Sequence, residues 1–433
     1  MAEKSLSRPE QEGKYERRTT GPHSERAIKT VREQSNRVVE LPASHLLRVK
    51  VCDSWEELEA LWPTWVHLLE TSQTASVFST PEWLGAWWRA FGNGNSLVAI
   101  VFYDPSGDMV GLAPFYLDVL EAPFRWRLKR LRLIGDGSGD SDNLDFVVRP
   151  GYEYACARTL LNWLGRQSMW NLCELNTLPM HSPLANCLLV HLRELGWPHV
   201  MHHQRCSAII LPDSWESYLN QISAKEREKV GYRFRRLEKR YRVSTCKCTQ
   251  EEEVSPFLEE LFQLHQKRWQ LRGQPGSFSS SVRRQFYYEV ACSFLARQWL
   301  EFWLLKLDGR PVAAQFGFRY RDTVFALQRG FDPTYAADSV GYVLLGYVLR
   351  HLIADGVRRY DFLGGDSEQK QRWGAQRTTS LHIHFARPLT KGGLYLRLMR
   401  DARAAKEWLR VHLPPRAWIL LRELYHGLQG VRR

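Results

Sequence analysis

The sequence has no hydrophobic run long enough to cross a bilayer and no cysteine pattern typical of a disulfide framework. Its apolar stretches all fall short of the ~18–20 residues that a transmembrane helix needs. Eight cysteines in 433 residues show neither the density nor the spacing of a stapled secreted fold. The first 18 residues are polar and lack the apolar core of a signal peptide. We therefore expect a chain of the reducing cytoplasm.

Patterns that bind metals are also missing. Zinc sites in proteins need four ligands at characteristic spacings. Three groups of potential ligands fall short of this pattern, namely Cys246 with Cys248, His202 and His203 with Cys206, and His382 with His384. The sequence therefore predicts no metal site.

Cationic and aromatic residues are abundant. The chain carries 60 Lys and Arg against 47 Asp and Glu, a formal net charge of +13, and 17 tryptophans. Hydrophobic residues make up 44% of the sequence, enough for a substantial core. A basic surface attracts anions, and nucleic acid, anionic lipid and phosphate-bearing cofactors all match that sign.

Two similar stretches about 200 residues apart predict a repeated α/β unit. Each contains a hairpin around a Gly turn, first Leu97–Tyr103 with Met109–Leu117, then Glu301–Leu307 with Pro311–Arg319. Each hairpin precedes a predicted strand, helix and strand, beginning at Asp145–Val148 in the first unit and Thr323–Arg329 in the second. We expect an α/β fold with mixed sheets in two tandem domains, residues 46–210 and 211–388.

The two ends of the chain differ from this pattern. Residues 1–45 carry charges of both signs with few large apolar side chains, which predicts a disordered tail. Residues 389–433 alternate apolar and basic residues with helical spacing over Leu394–Trp408 and Trp418–Leu428. The pattern predicts basic amphipathic helices, which suit the surface of an anionic membrane.

A helix start in the second unit predicts an anion site. Asp338 or Ser339 is placed to cap a helix, and the amides around Val340, Gly341 and Tyr342 then face whatever lies above. Free amides and the helix dipole together favour a phosphate or pyrophosphate.

A glycine loop follows the next predicted strand. Asp361 precedes Gly364 and Gly365, and Asp366, Lys370 and Trp373 come after them. Ligands of α/β folds bind where strands end, so these side chains are candidates for a site. A surface turn with a solvated lysine explains the same pattern equally well.

A basic helix predicted over residues 225–242 is a further candidate for phosphate binding. Arg233 and Arg236 belong to its basic face, while Arg268 and Trp269 end another helix. A solvated face without function is the commoner meaning of such a stripe.

Three segments precede residues 331–374 and occur in the order FSTPEWLGAWWRAFG, ISAKEREKVGYRFRRLEKR and VAAQFGF. Together with residues 331–374, these segments resemble the CelD-like acetyltransferase family. That family belongs to the GNAT superfamily and is related to the Fem peptidyltransferases. The resemblance covers roughly residues 50–386 and implies two tandem GNAT-like domains. It also implies transfer of an acyl group from acetyl-CoA or another acyl-CoA to an amine or hydroxyl, in envelope or exopolysaccharide metabolism.

Carried over by position, the resemblance implies roles for individual residues. The strand Val312–Phe318, with Gln315 and Phe316, would pair with the pantetheine arm, and residues 338–342 would face the pyrophosphate of CoA. On the acceptor side would lie Asp366, Lys370 and Trp373. The reaction itself needs a base and an acid, for which the candidates are Asp366 or Asp361 and Tyr335 or Tyr342, with Lys370 as an anion or oxyanion ligand. A structural role for Asp361, which would hold the Gly-Gly loop in place, explains its position at least as well.

Two alternatives to this acyltransferase remain open at this point. A Fem-type enzyme would take its acyl group from aminoacyl-tRNA, bound through the basic surface. A non-catalytic GNAT-fold protein would serve polysaccharide synthesis at the membrane, held there by residues 392–433.

Overall fold

The computed structural model describes residues 47–122, 126–270, 273 and 276–412. These residues form one large mixed sheet with helices packed against it, which confirms the predicted α/β class. The strands are β1 (Arg48–Cys52), β2 (Ser96–Tyr103), β3 (Met109–Ala122), β4 (Trp126–Leu133), β5 (Val147–Val148), β6 (Leu172–Pro179), β7 (His199–Ile210), β8 (Val243–Lys247), β9 (Leu300–Leu307), β10 (Arg310–Tyr320), β11 (Thr323–Phe331), β12 (Arg359–Gly364) and β13 (Gln376–Phe385).

Twelve α-helices lie between and after these strands in the described part of the chain. They are α1 (Trp55–Glu59), α2 (Trp62–Thr71), α3 (Pro81–Phe91), α4 (Glu153–Arg166), α5 (Pro183–Glu194), α6 (Trp215–Gln221), α7 (Ala224–Arg240), α8 (Glu251–Gln270), α9 (Ser281–Ala296), α10 (Val340–Ala354), α11 (Glu368–Arg372) and α12 (Lys391–His412). Short polar side chains accept backbone N–H groups at several of the starts, for example Thr80 at α3 and Ser223 at α7.

The order of the strands in the sheet shows an internal two-fold pattern. It runs β1-β2-β3-β4-β6-β13-β7-β12-β11-β10-β9-β8. Each half contributes an antiparallel set, β1 to β4 or β8 to β11, and a parallel partner, β6 beside β4 or β12 beside β11. The last strand of each half is exchanged: β13 lies beside β6, and β7 lies beside β12. Both predicted hairpins are confirmed, as β2 with β3 and β9 with β10.

One predicted strand is wrong. Asp145–Val148 was expected to match β11 of the second unit, but only Val147 and Val148 are extended, as the short β5 on β3. The counterpart of β11 is β4, which continues from β3 and runs parallel to β6. Four basic residues in β4 weaken its apolar alternation, and two of them pair with acidic groups, Arg130 with Asp118 at 2.6 Å and Arg132 with Asp136 at 2.8 Å.

The two halves share one core. Trp83 of α3 packs edge to face on Phe286 of α9 and Phe318 of β10, with ring centroids 5.2 and 5.4 Å apart. Tyr287 of α9 donates its hydroxyl hydrogen to buried Asp140 at 2.8 Å. Helices α3 and α9 therefore bury aromatic rings across the boundary between the halves.

The predictions for the two ends lie mainly outside the described residues. The predicted tail, residues 1–45, and the predicted helix Trp418–Leu428 both do so. The other C-terminal helix is present as α12. In the described residues, no helix has both the length and the apolarity needed to span a bilayer.

Candidate functional site

A cavity of about 780 Å³ opens where two parallel strands diverge. β11 and β12 pair over three residues only, from Thr323 with Arg359 to Phe325 with Asp361. Beyond this point six consecutive residues of β11, 326–331, line the cavity. Successive side chains of a strand point to opposite faces, so such an unbroken run means that the strand presents its edge. The polar backbone groups on this edge of β11 thus border the cavity.

A bulge interrupts β11 within this stretch. Phe316 of β10 pairs with Gln328, and Gly317 pairs with Ala326, which leaves Leu327 as the extra residue. A bulge takes a residue out of the ladder and re-aims its backbone. Gly317 makes this register possible because a Cβ there would lie 2.4 Å from the carbonyl oxygen of Phe325. Leu327 lines the cavity.

The start of α10 borders the same cavity through Ser339, Val340 and Gly341. Ser339 is the N-cap in the left-handed region, with φ 56°, and its side chain makes no capping bond. Among the described residues, the amides of Val340 and Gly341 have no backbone partner outside the helix. The helix thus presents free N–H groups and its positive dipole end.

Of the two residues predicted as the cap of this helix, Ser339 occupies the N-cap position and Asp338 does not. Its carboxylate turns toward α7, where Arg240 and Arg236 pair with it and Tyr241 donates its hydroxyl hydrogen at 3.2 Å. Arg236 therefore holds the turn before α10 in place and lies outside the cavity lining.

Cationic groups dominate the lining. Among the described residues that line the cavity, Glu368 is the only carboxylate. Five cationic side chains share the lining, namely Arg233, Arg268, Arg329, Arg372 and Lys370. Three guanidinium groups lie over aromatic rings: Arg233 over Tyr342 at 4.2 Å, Arg268 over Phe331, and Arg329 over Phe362. The cavity is therefore suited to an anionic ligand.

Lys370 lines the cavity, yet its ammonium group is bound to the backbone. It donates to the carbonyl oxygens of Phe362, Gly364 and Gly365 at 3.2, 2.8 and 2.9 Å. An ammonium group has three N–H donors, and all three are used. Burial, together with nearby Arg329, lowers the pKa of Lys370. The geometry makes Lys370 a clamp on the glycine loop.

The two predicted carboxylate bases are also engaged and lie outside the lining. Asp361 accepts the N–H of Leu363 at 2.8 Å and pairs with Arg359 at 3.0 Å. It thereby supports Leu363 in the left-handed region, at φ 59°. Asp366 accepts the amide of Gln371 at 2.7 Å, and this bond, with Arg377, holds the pKa of Asp366 below its usual range.

A residue of the first half reaches this loop, and the sequence analysis did not single it out. Asp142 accepts the N–H of Gly364 at 3.0 Å through its Oδ2 atom. Burial raises the pKa of Asp142 to about 6, and nearby Asp361 also raises it, while Gly364 and Lys370 oppose the change. No local pattern marks Asp142, because its partner is 222 positions away.

Four buried polar side chains lining the cavity carry an atom without a hydrogen-bond partner among the described residues: Gln315 Oε1, His265 Nδ1, Tyr342 Oη and Trp373 Nε1. His265 Nε2 accepts the indole N–H of Trp269 at 2.8 Å, so the neutral ring carries its proton on Nδ1. Burial and then Arg268 lower the pKa of His265 to about 4. Buried orphan atoms of this kind are available to a ligand.

The structure brings ten of the fourteen predicted site residues to this one cavity. They are Lys370, Tyr342, Gln315, Ser339, Val340, Gly341, Arg233, Arg268, Trp269 and Trp373. Asp361, Asp366, Arg236 and Phe316 are outside the lining. Phe316 is fully buried and packs against Phe302 and Tyr287. Gln328, Arg329 and Arg372 line the cavity without having been predicted.

The strand predicted to pair with a donor arm is wrong. Val312–Phe318 lies in β10, which is paired with β9 on one edge and with β11 on the other. A strand with both edges occupied has no backbone groups to offer. β11 has the free edge instead.

In the first half, side chains and hydrogen bonds close the gap between β4 and β6 that corresponds to the cavity. β4 and β6 also pair over three residues, Arg130 to Arg132 with Leu172 to Glu174. Beyond them Asp136 binds Arg132 and Asn176, each at 2.8 Å, and Tyr116 donates to its carbonyl oxygen. These hydrogen bonds cross the gap that the second half leaves open.

Comparison with known proteins singles out the second half, the half in which the cavity is open. Residues 224–373 match the family model described as Acetyltransferase (GNAT) domain. No curated protein matches the chain. Among solved structures, FemX is similar, with a TM-score of 0.54 and 11% identity over 74% of this chain and 95% of FemX.

Two further solved structures are more distant. L-PGS from Bacillus licheniformis has a TM-score of 0.46 and 14% identity over 80% of this chain and 97% of its own. A tandem GNAT protein from the clavulanic acid biosynthesis pathway has 0.40 and 14%, over 78% and 98%. The similarity to FemX shows a shared fold. Membership of the CelD-like subfamily remains a prediction. In the second half of the chain, residues 224–373 are similar to the GNAT acetyltransferase domain.

Proposed function

We propose that the protein transfers an acyl group from acyl-CoA to an amine or hydroxyl of a polar acceptor. The observation that carries the proposal is the cationic cavity between β11 and β12, which has a free strand edge on one side and a free helix start at its border. Acetyl-CoA is the simplest donor of this class.

The donor's phosphates match the start of α10. The free amides of Val340 and Gly341 and the helix dipole favour a pyrophosphate, and Arg233 lies beside them over Tyr342. Gly341 leaves room for this approach, since a Cβ there would meet only the ring of Phe331 at 3.7 Å. The amide-bearing arm of CoA is extended, and the edge of β11 offers it backbone partners.

The chemistry requires no nucleophile from the protein. The acceptor attacks the thioester carbonyl, the carbon–sulfur bond breaks, and CoA leaves as a thiol after taking up a proton. Leu327, the extra residue of the bulge, lines the cavity, and we assign its backbone amide the role of stabilising the oxyanion. Burial raises the pKa of Tyr342 to about 12, so its hydroxyl stays protonated and donates to the leaving sulfur.

The acceptor's proton needs a different base from the two that the sequence suggested. Asp361 and Asp366 are engaged with backbone and side-chain donors. Glu368 is the carboxylate at the lining; it pairs with Arg372 at 3.3 Å through Oε2 and is largely exposed, and we assign it this role. We propose that the acceptor is a sugar- or nucleotide-linked molecule of envelope polysaccharide metabolism, and that Arg268 and Trp269, which line the cavity, contact it.

Calorimetric titration with acetyl-CoA tests the donor. We expect binding to the wild type and at least tenfold weaker binding to Arg233→Glu and Gly341→Arg. Arg350→Glu, an exposed change on α10 away from the cavity, is the matched control and should bind as the wild type does. Absence of heat with the wild type would overturn the proposal. Salt-sensitive binding of tRNA without acetyl-CoA binding would favour the aminoacyl-tRNA donor.

A further inference from the structure

Among the described residues, helix α12 contacts the rest of the protein through one side. Leu396 is buried against Leu172 and Ala386, and Arg403 contacts His202 of β7. The helix starts very close to the sheet, because a Cβ on Gly392 would meet the carbonyl oxygen of Asn171 at 1.7 Å. The contacts on its first turn thus fix the direction of the whole helix.

The opposite side of α12 exposes large apolar side chains. Leu394 and Leu398 are each 49% exposed and Trp408 is 59% exposed. At about 100° per residue, these three lie within roughly 80° of one another on the helix. Leu396 and Arg403, which contact the body, lie about 180° away from them. The apolar stripe Leu394–Leu398–Trp408 therefore points away from the protein.

Basic residues accompany this stripe. Residues 391–412 contain six Lys and Arg, of which two flank the stripe; one acid, Asp401, lies within it, about 20° from Leu394, and pairs with Arg400 at 3.0 Å. Lys391 and Arg397 lie on the two flanks of the stripe, about 60° to either side of Leu394. The following residues, 413–433, add four arginines and Trp418-Ile-Leu-Leu with one acidic residue, Glu423. Apolar residues flanked by cations match an anionic lipid surface.

We propose that α12 docks its outward apolar stripe into an anionic membrane surface and holds the catalytic body beside it. A second copy of the chain is a poorer occupant, because the pairing of two such helices would bring their flanking cations together. The net charge of +13 also favours a membrane over a second copy, because it repels another copy and attracts an anionic surface.

Sedimentation with vesicles tests this docking, using the full chain and two lipid compositions. We expect binding to vesicles with 30% phosphatidylglycerol, at least tenfold weaker binding to pure phosphatidylcholine, and release as salt rises. Leu398→Glu combined with Trp408→Glu should reduce binding to the anionic vesicles at least tenfold. Val282→Glu, an equally exposed apolar position at the start of α9, should leave it unchanged.

Any of three results would overturn the proposal, two in the vesicle assay and one in the assay of oligomeric state. The first two are no binding of the wild type to the anionic vesicles, and binding that the stripe variant retains. The third is a dimer in sedimentation equilibrium without lipid that the stripe variant dissociates, since the stripe would then be a contact between copies. Acetyl-CoA titration of the same stripe variant should match the wild type, which separates this surface from the cavity.

Discussion

Asp142, from the first half of the chain, accepts the backbone N–H of Gly364, in the glycine loop of the second half, at 3.0 Å. Lys370 binds the carbonyl oxygens on the other side of that loop. The loop beside the cavity is thus held by residues of both halves, although the cavity itself belongs to one. This arrangement links the first half to the site without placing it in the lining.

The raised pKa of Asp142 predicts a particular dependence of stability on pH. Its pKa is about 6 in the fold, against an ordinary value of 3.8, so the folded state holds the proton more tightly. The stability that this provides is complete below pH 4 and is lost as pH rises through 6. Asp142→Asn, which keeps an oxygen for Gly364, should therefore gain in melting temperature relative to the wild type between pH 4.5 and pH 7.5.

Thermal denaturation at the two pH values measures this difference. Asp108→Asn, at an exposed carboxylate in the first hairpin turn, is the control and should show a difference that does not change with pH. If the difference between Asp142→Asn and the wild type is also constant, Asp142 does not titrate in this range and the assignment is wrong.

Removal of the Lys370 clamp should reduce stability as well as turnover. Lys370→Met leaves three carbonyl oxygens without their donor, and we expect a loss of about 2–3 kcal/mol in the free energy of unfolding. Lys370→Arg should restore little, because a planar guanidinium group cannot serve three converging oxygens in the same way. Urea denaturation checks this, with Lys239→Met on the exposed side of α7 as the control.

A different outcome for Lys370 would change its role. If Lys370→Met keeps its stability and loses only kcat, the ammonium group acts on the substrate, as the sequence alone suggested. The three hydrogen bonds from Lys370 to the loop would then describe the protein without substrate.

The bulge in β11 depends on Gly317. Gly317→Ala places a methyl group 2.4 Å from the oxygen of Phe325, so the strands must separate or the register must change. We expect a loss of about 2–4 kcal/mol in unfolding free energy and a loss of turnover. Gly165→Ala on α4 is the control, since its Cβ would meet Trp197 at an ordinary 3.4 Å. This substitution should stabilise the helix by about 0.5–1 kcal/mol. Equal stability of the two variants would contradict the role of the bulge.

Local patterns predicted the hairpins because everything that forms them lies within a few residues. The turn Asp308–Arg310 between two apolar runs specifies β9 and β10 without help from the rest of the chain. β4 was missed because its arginines are balanced by distant acids, as with Arg130 and Glu174 at 3.0 Å. The exchange of β7 and β13 was not predictable for the same reason, since no nearby residue encodes which strand lies beside which.

The site divides in the same way. The start of α10 and the cationic Arg233 follow from helix periodicity, and both lie at the cavity. The roles of Asp361 and Lys370 depend on where backbone carbonyl and amide groups point, which a sequence does not state. The free edge was assigned to β10 when it belongs to β11, because only the pairing in the sheet shows which edges are occupied.

The exchange of β7 and β13 has a consequence for synthesis on the ribosome. β13 is the last strand of the sheet, at Gln376–Phe385, and it separates β6 from β7 of the first half. During synthesis, the first half therefore lacks the strand between β6 and β7 until almost the whole chain has emerged. Until β12 and β13 have formed, one edge of β6 and both edges of β7 lack their partners, a state in which nascent chains depend on speed or on chaperones to avoid pairing with the wrong partner.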